Sequence, residues 1–83
     1  MSYSEKKLDT IFSNGRVIRN RPSHLYRRDI YGNTIYRPSY GKETGIGWEV
    51  DHIKPRAKGG SDALRNLQPL HWTANREKGA KRR

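Results

Sequence analysis

Eighty-three residues leave room for one domain, and a chain this short buries only roughly 60–65% of its unfolded surface, so an apolar content of 31% makes a thin core. Cysteine is absent, which excludes a disulfide framework and a Cys-ligated zinc ribbon; the polar start MSYSEKKLDTIF and the lack of a long apolar run predict neither a signal peptide nor a membrane span. Eighteen Lys and Arg against eight Asp and Glu give a net charge of +10, with nine basic and four acidic residues on each side of the Gly47–Trp48 bond. Positive charge spread over so small a body points to a polyanionic partner, nucleic acid, in the cytoplasm or at the nucleoid.

In chain order, SEKKLDTIFSN (4–14) predicts a short helix: Ser4 is placed to cap it, Leu8, Ile11 and Phe12 recur at helical spacing, and Gly15 stops it. RVIRNRPSH is a basic connector without a usable period. LYRRDIYGNTIYRP predicts a β-hairpin, with Tyr26, Ile30, Tyr31, Ile35 and Tyr36 as strand formers around Gly32-Asn33. Gly41, Gly45 and Gly47 mark a loop. WEVDHIKP then alternates, with Trp48, Val50 and His52 on one face and Glu49, Asp51 and Ile53 on the other, and Pro55 ends it. The twelve-residue connection RAKGGSDALRNL bends at Gly59-Gly60, QPLH returns as a short strand, and WTANREKGAKRR is a final helix whose basic KGAKRR end is expected to fray. Core packing falls to Trp48, Leu64, Leu67, Leu70 and Trp72 with the Tyr-rich hairpin.

Asp51-His52 is the pair that carries chemistry. A neutral imidazole accepts a proton at physiological pH, and a carboxylate holds a hard cation. Adjacent strand residues point to opposite faces, so the two serve as separate tools rather than as one chelate. Asp inside a strand is disfavoured, which weakens the reading of the pair as ordinary strand residues. Asn66 stands at the end of the Gly-bent connection, where its amide satisfies loose backbone groups. Asn75 on the final helix is either a solvent-facing residue or an oxygen donor to a hard cation.

The stretch WEVDHIKPRAKGGSDALRNLQPLHWTANREKGAK resembles the HNH endonuclease family in the order and spacing of DHI, KGG, NLQPLH and NREKG. The resemblance implies an α+β fold built on a ββα-metal (His-Me finger) motif at 48–81, preceded by a hairpin and loop (25–47) and an N-terminal helix and connector (1–24), all in one nuclease domain. It implies catalytic roles for His52, the general base, and Asn66, which fixes the loop and orients His52 through its backbone. It implies Asp51 and Asn75 as ligands of one divalent ion, Mg²⁺ or Mn²⁺, and products with 5′-phosphate and 3′-hydroxyl ends. His71 is a further candidate, either as a metal ligand or as a residue packed beside the site; no structural zinc is expected. Lys54, Arg56, Lys58, Arg65, Arg76 and Lys78 flank the motif as candidate DNA contacts, Arg65 and Arg76 foremost.

The activity implied is metal-dependent DNA hydrolysis of low sequence specificity, with selectivity left to a protein partner, DNA shape or a homodimer. Two other readings stand beside it: a non-catalytic nucleic-acid-binding module on the same fold, and a small basic RNA-associated protein whose interleaved Tyr and Arg stack bases.

Overall fold

The computed structural model describes residues 3–81 as a small α+β fold. Helix α1 spans Glu5–Phe12, and its start is fixed as the sequence suggests: the Ser4 hydroxyl accepts from Lys7 N–H at 3.1 Å. Its Leu8, Ile11 and Phe12 are buried, one stripe of the helix turned to the core. The connector that follows holds a two-residue strand, β1 (Arg16–Val17), which pairs antiparallel with β2 (Tyr26–Arg28); β2 pairs in turn with β3 (Thr34–Tyr36). Pairing along a neighbour's edge leaves no periodic signature in two residues, so β1 was not legible.

The hairpin turn is longer than Gly32-Asn33. Ile30 and Tyr31, expected as strand formers, lie in the turn and are 54% and 60% exposed. Asp29 captures the turn instead. Its carboxylate accepts from the backbone N–H of Tyr31 (3.0 Å) and Asn33 (2.8 Å), from the Asn33 amide (3.1 Å) and from His71 N–H (3.0 Å). The last of these ties the hairpin to the second sheet. Because Asp29 is buried, Asp29→Ala strands several donors at once, and we expect it to cost about 3 kcal/mol, a fall of roughly 12–24 °C in Tm measured by thermal denaturation.

The second sheet is a two-stranded antiparallel pair, β4 (Trp48–His52) and β5 (Leu67–His71), in register from Trp48 opposite His71 to His52 opposite Leu67. Pro69, which has no N–H to give, is tolerated on β5 because one edge of that strand carries no ladder. Helix α2 (Trp72–Lys81) starts directly from β5 and packs back over the sheet. Of the basic tail expected to fray, the helix includes residues up to Lys81, and Arg82 and Arg83 lie outside the described residues.

The core is a cluster of Leu8, Ile11, Phe12, Ile35, Trp48 and Leu67, with Val50 and Tyr40 against it. Trp48 sits at its centre, its ring 5.2 Å from Phe12 and 5.0 Å from Tyr40, and its indole N–H donates to the Arg37 carbonyl at 3.2 Å. Two of the expected core residues take other places. Leu64 is 41% exposed in a 3-10 turn, and Trp72 is half-buried, its N–H bonded to the Thr44 carbonyl at 2.8 Å. The α1 stripe fills the space assigned to them. Among the described residues no helix is long and apolar enough to cross a membrane.

Candidate active site

Alternation along β4 sends Trp48 and Val50 into the core, whereas Glu49 and Asp51 meet α2. The two-residue step on the strand matches the three-residue step on the helix. Asn75 thereby donates its amide to Glu49 Oε1 at 2.9 Å, and Lys78 places its ammonium 2.6 Å from Asp51 Oδ2. Asp51 is 3% exposed, and Oδ2 also accepts from the Gln68 amide at 2.9 Å. A polar group this deep requires such partners.

The outer edge of β4 opens onto a cavity of about 480 Å³ that brings Glu49, His52 and Asn75 together with Arg56, Tyr3 and Tyr40. Residues from both faces of the strand reach it around that edge. Burial pushes the Tyr40 phenol above its ordinary pKa, so it enters as a neutral hydroxyl.

His52 contacts the side chain of Asp62, with Nε2 2.7 Å from Oδ1, in a half-buried setting. The imidazole hydrogen bond is the main cause holding the Asp62 carboxyl below its ordinary pKa, and the nearby charges of Arg56, His52 and Lys7 act in the same direction. An ionised carboxylate only accepts hydrogen bonds, so Nε2 carries the proton. In the neutral ring Nδ1 is then the basic nitrogen, and it has no hydrogen-bond partner among the described residues.

Asn66 organises the loop between β4 and β5. Its Oδ1 accepts from Lys54 N–H at 2.8 Å, and its amide donates to the carbonyls of Lys54 (3.1 Å) and Ser61 (2.7 Å). Its own carbonyl accepts from Ile53 N–H at 2.8 Å, one residue past His52. Gly60 permits this fold of the loop, since a Cβ there would fall 1.8 Å from the Lys54 carbonyl oxygen.

His71 is placed elsewhere. It pairs with Trp48 at the opposite end of the ladder from His52, and both ring nitrogens are engaged, Nε2 with the Gly45 carbonyl at 2.9 Å and Nδ1 with the Thr73 hydroxyl at 2.8 Å. It clamps the glycine loop to the start of α2. Among the six flanking cations, Arg76 bridges Glu49 and Glu43 and lies over the Trp72 ring, and its guanidinium pKa is raised, chiefly by the bond to Glu49. Lys78 is spent on Asp51. Lys54, Arg56, Lys58 and Arg65 are exposed and form no ion pair among the described residues.

Sequence reading missed Asp62 and Glu49. Glu49 had a signal, since it shares a strand face with Asp51; Asp62 had none, because only the folded loop carries it ten positions back to His52.

Residues 41–81, which include β4, β5, α2 and the Asn66 loop, match the family model of the HNH endonucleases. Over this segment the chain is similar to the HNH endonucleases. A relative, the probable mobile endonuclease C of Enterobacteria phage T4, is 45% identical over 47 residues, which is 52% of this chain and 22% of the relative. The chain therefore matches about a fifth of that relative's length. No solved structure matches the chain. The matched segment includes Asp51, His52, Asn66 and Asn75.

Proposed function

We propose that the chain is a metal-dependent endonuclease that hydrolyses DNA phosphodiester bonds with little sequence preference, through a ββα-metal site formed by β4, β5 and α2. The observation that supports it most is the His52 imidazole, its Nε2 tied to a carboxylate and its Nδ1 without a partner among the described residues, in a cavity shared with Glu49, Asn75 and Arg56. The T4 relative's name, endonuclease, agrees with this reading.

His52 Nδ1 takes the proton of the attacking water, and Asn66 holds the chain on either side of the Gly-bent loop so that the ring keeps its place. Among the described residues no three His, Cys, Asp or Glu side chains gather as a metal site, and a hard cation bound here would take carboxylate and amide oxygens. Asp51 and Asn75 carry the hard oxygens Mg²⁺ and Mn²⁺ take, but Asn75 lines the cavity and buried Asp51 does not, so the Lys78 ammonium on Asp51 Oδ2 would have to give way for both to hold one ion. When bound, the ion supplies Lewis-acid stabilisation of the charge that develops on the phosphate oxygens. Arg56, in the cavity, holds a phosphate there.

Four exposed cations rather than six set the salt dependence. With Lys54, Arg56, Lys58 and Arg65 on phosphates the slope of log K against log salt is roughly −3.6, so we expect affinity for a DNA duplex to fall about a hundredfold between 50 and 200 mM salt. Fluorescence anisotropy across that range checks it; six contacts would give about a thousandfold.

Incubation of supercoiled plasmid with the purified chain and Mg²⁺, Mn²⁺ or EDTA tests the function. Nicked or linear plasmid with metal and none with EDTA supports it. Retarded but uncut plasmid under every ion would leave a binding module.

A further inference from the structure

We propose that Asp62 is the positioning residue for His52, fixing the imidazole in the tautomer whose Nδ1 is the base. The proposal rests on the endonuclease reading for the reaction the ring serves, but not for the contact itself.

A neutral imidazole divides between two tautomers, and its ring turns freely about the last side-chain torsion unless something holds it. The 2.7 Å contact to Asp62 does both tasks, since a carboxylate accepts and never donates. Asp62 reaches the ring because its loop is fixed on every side. Asn66 grips the carbonyl of Ser61, the Ser61 hydroxyl accepts from Ala63 N–H at 3.2 Å, and Gly60 N–H bonds the Pro55 carbonyl at 2.9 Å. The carboxylate is thus flanked by two anchored residues. The middle Asn of the motif accordingly acts on His52 partly through Asp62, a link of side chains rather than of backbone alone.

A bland account makes Asp62 one half of a surface ion pair, worth little. It would require a charged imidazole, and it predicts no consequence for which ring nitrogen carries the proton. The two accounts therefore separate on the ring itself.

The test uses the full chain with ¹⁵N-labelled histidine, the His52 signals assigned by their loss in His52→Ala. Ring-nitrogen spectra are taken at alkaline pH for the wild type, Asp62→Asn and Asp62→Glu. Asn is isosteric but both donates and accepts, so the tautomer lock is lost while the loop volume is kept. We expect a wild-type pattern of protonated Nε2 and bare Nδ1, a mixed or reversed pattern in Asp62→Asn, and restoration in Asp62→Glu. In plasmid cleavage Asp62→Asn should lower kcat about 10–100-fold with KM unchanged, and Asp62→Glu should recover most of it. An unaltered ring pattern in Asp62→Asn overturns the proposal, as does an altered pattern with wild-type kcat. Should the wild type cut no DNA, the endonuclease reading falls, and the nitrogen pattern alone still decides whether Asp62 sets the tautomer.

Discussion

His52→Ala is expected to slow metal-supported cleavage of supercoiled plasmid by about 10²–10⁴-fold, the usual range for loss of a positioned general base, while leaving DNA affinity unchanged. The two halves of that expectation come from different parts of the molecule. On the proposed reading affinity falls to Lys54, Arg56, Lys58 and Arg65, exposed on the loops around His52, and none of them hydrogen-bonds the imidazole. His52 itself contributes a half-buried ring, too little surface to support the fold. Far-UV circular dichroism should therefore match the wild type. Single-turnover cleavage gives the rate, and anisotropy the affinity; equal loss of both would mean that His52 serves binding, and an unchanged rate would place the base elsewhere.

How much of this was legible before folding follows from the range of each interaction. The α1 helix, the two β4–β5 strands and α2 could be read because caps, alternation and spacing are local, and each is expressed within a few residues of its cause. Strand β1 could not, since two residues have no period and its pairing with β2 depends on partners ten and twelve positions away. Asp29 was hidden for the same reason. It looks like a residue of a hairpin arm, yet its carboxylate joins the turn to His71, 42 residues on. In the site, the residue types of the motif pointed to Asp51, His52, Asn66 and Asn75, but not to their partners. That Asn75 and Lys78 face Glu49 and Asp51 instead of solvent follows from the three-residue step of α2 meeting the two-residue step of β4, a match visible only when the two elements are packed. Leu64 was given to the core on hydropathy alone; α1 had already filled the space.

Trp48→Ala should have the largest effect on stability. The side chain is fully buried, stacks near Phe12 and Tyr40, and donates its indole N–H to Arg37, whose guanidinium lies 5.9 Å from the ring and pairs with Glu5 and Asp9. Truncating a buried Trp costs about 3–5 kcal/mol, from lost transfer energy and the cavity left behind. A domain of this length has roughly 4–12 kcal/mol in all, at 0.05–0.15 kcal/mol per residue. The loss is thus a large share of the total, and we expect Tm to fall by more than about 12 °C, with part of the population unfolded at 37 °C. Trp48→Phe keeps most of the volume and loses the single hydrogen bond, so it should cost about 1–2 kcal/mol. The consequence reaches the site, because Trp48 begins the strand that carries Glu49, Asp51 and His52. Cleavage by Trp48→Ala should fall in proportion to the unfolded fraction and recover on cooling to the temperature of greatest stability, whereas His52→Ala stays inactive at every temperature. Urea denaturation of both variants, followed by cleavage assays at two temperatures, distinguishes loss of the scaffold from loss of the base.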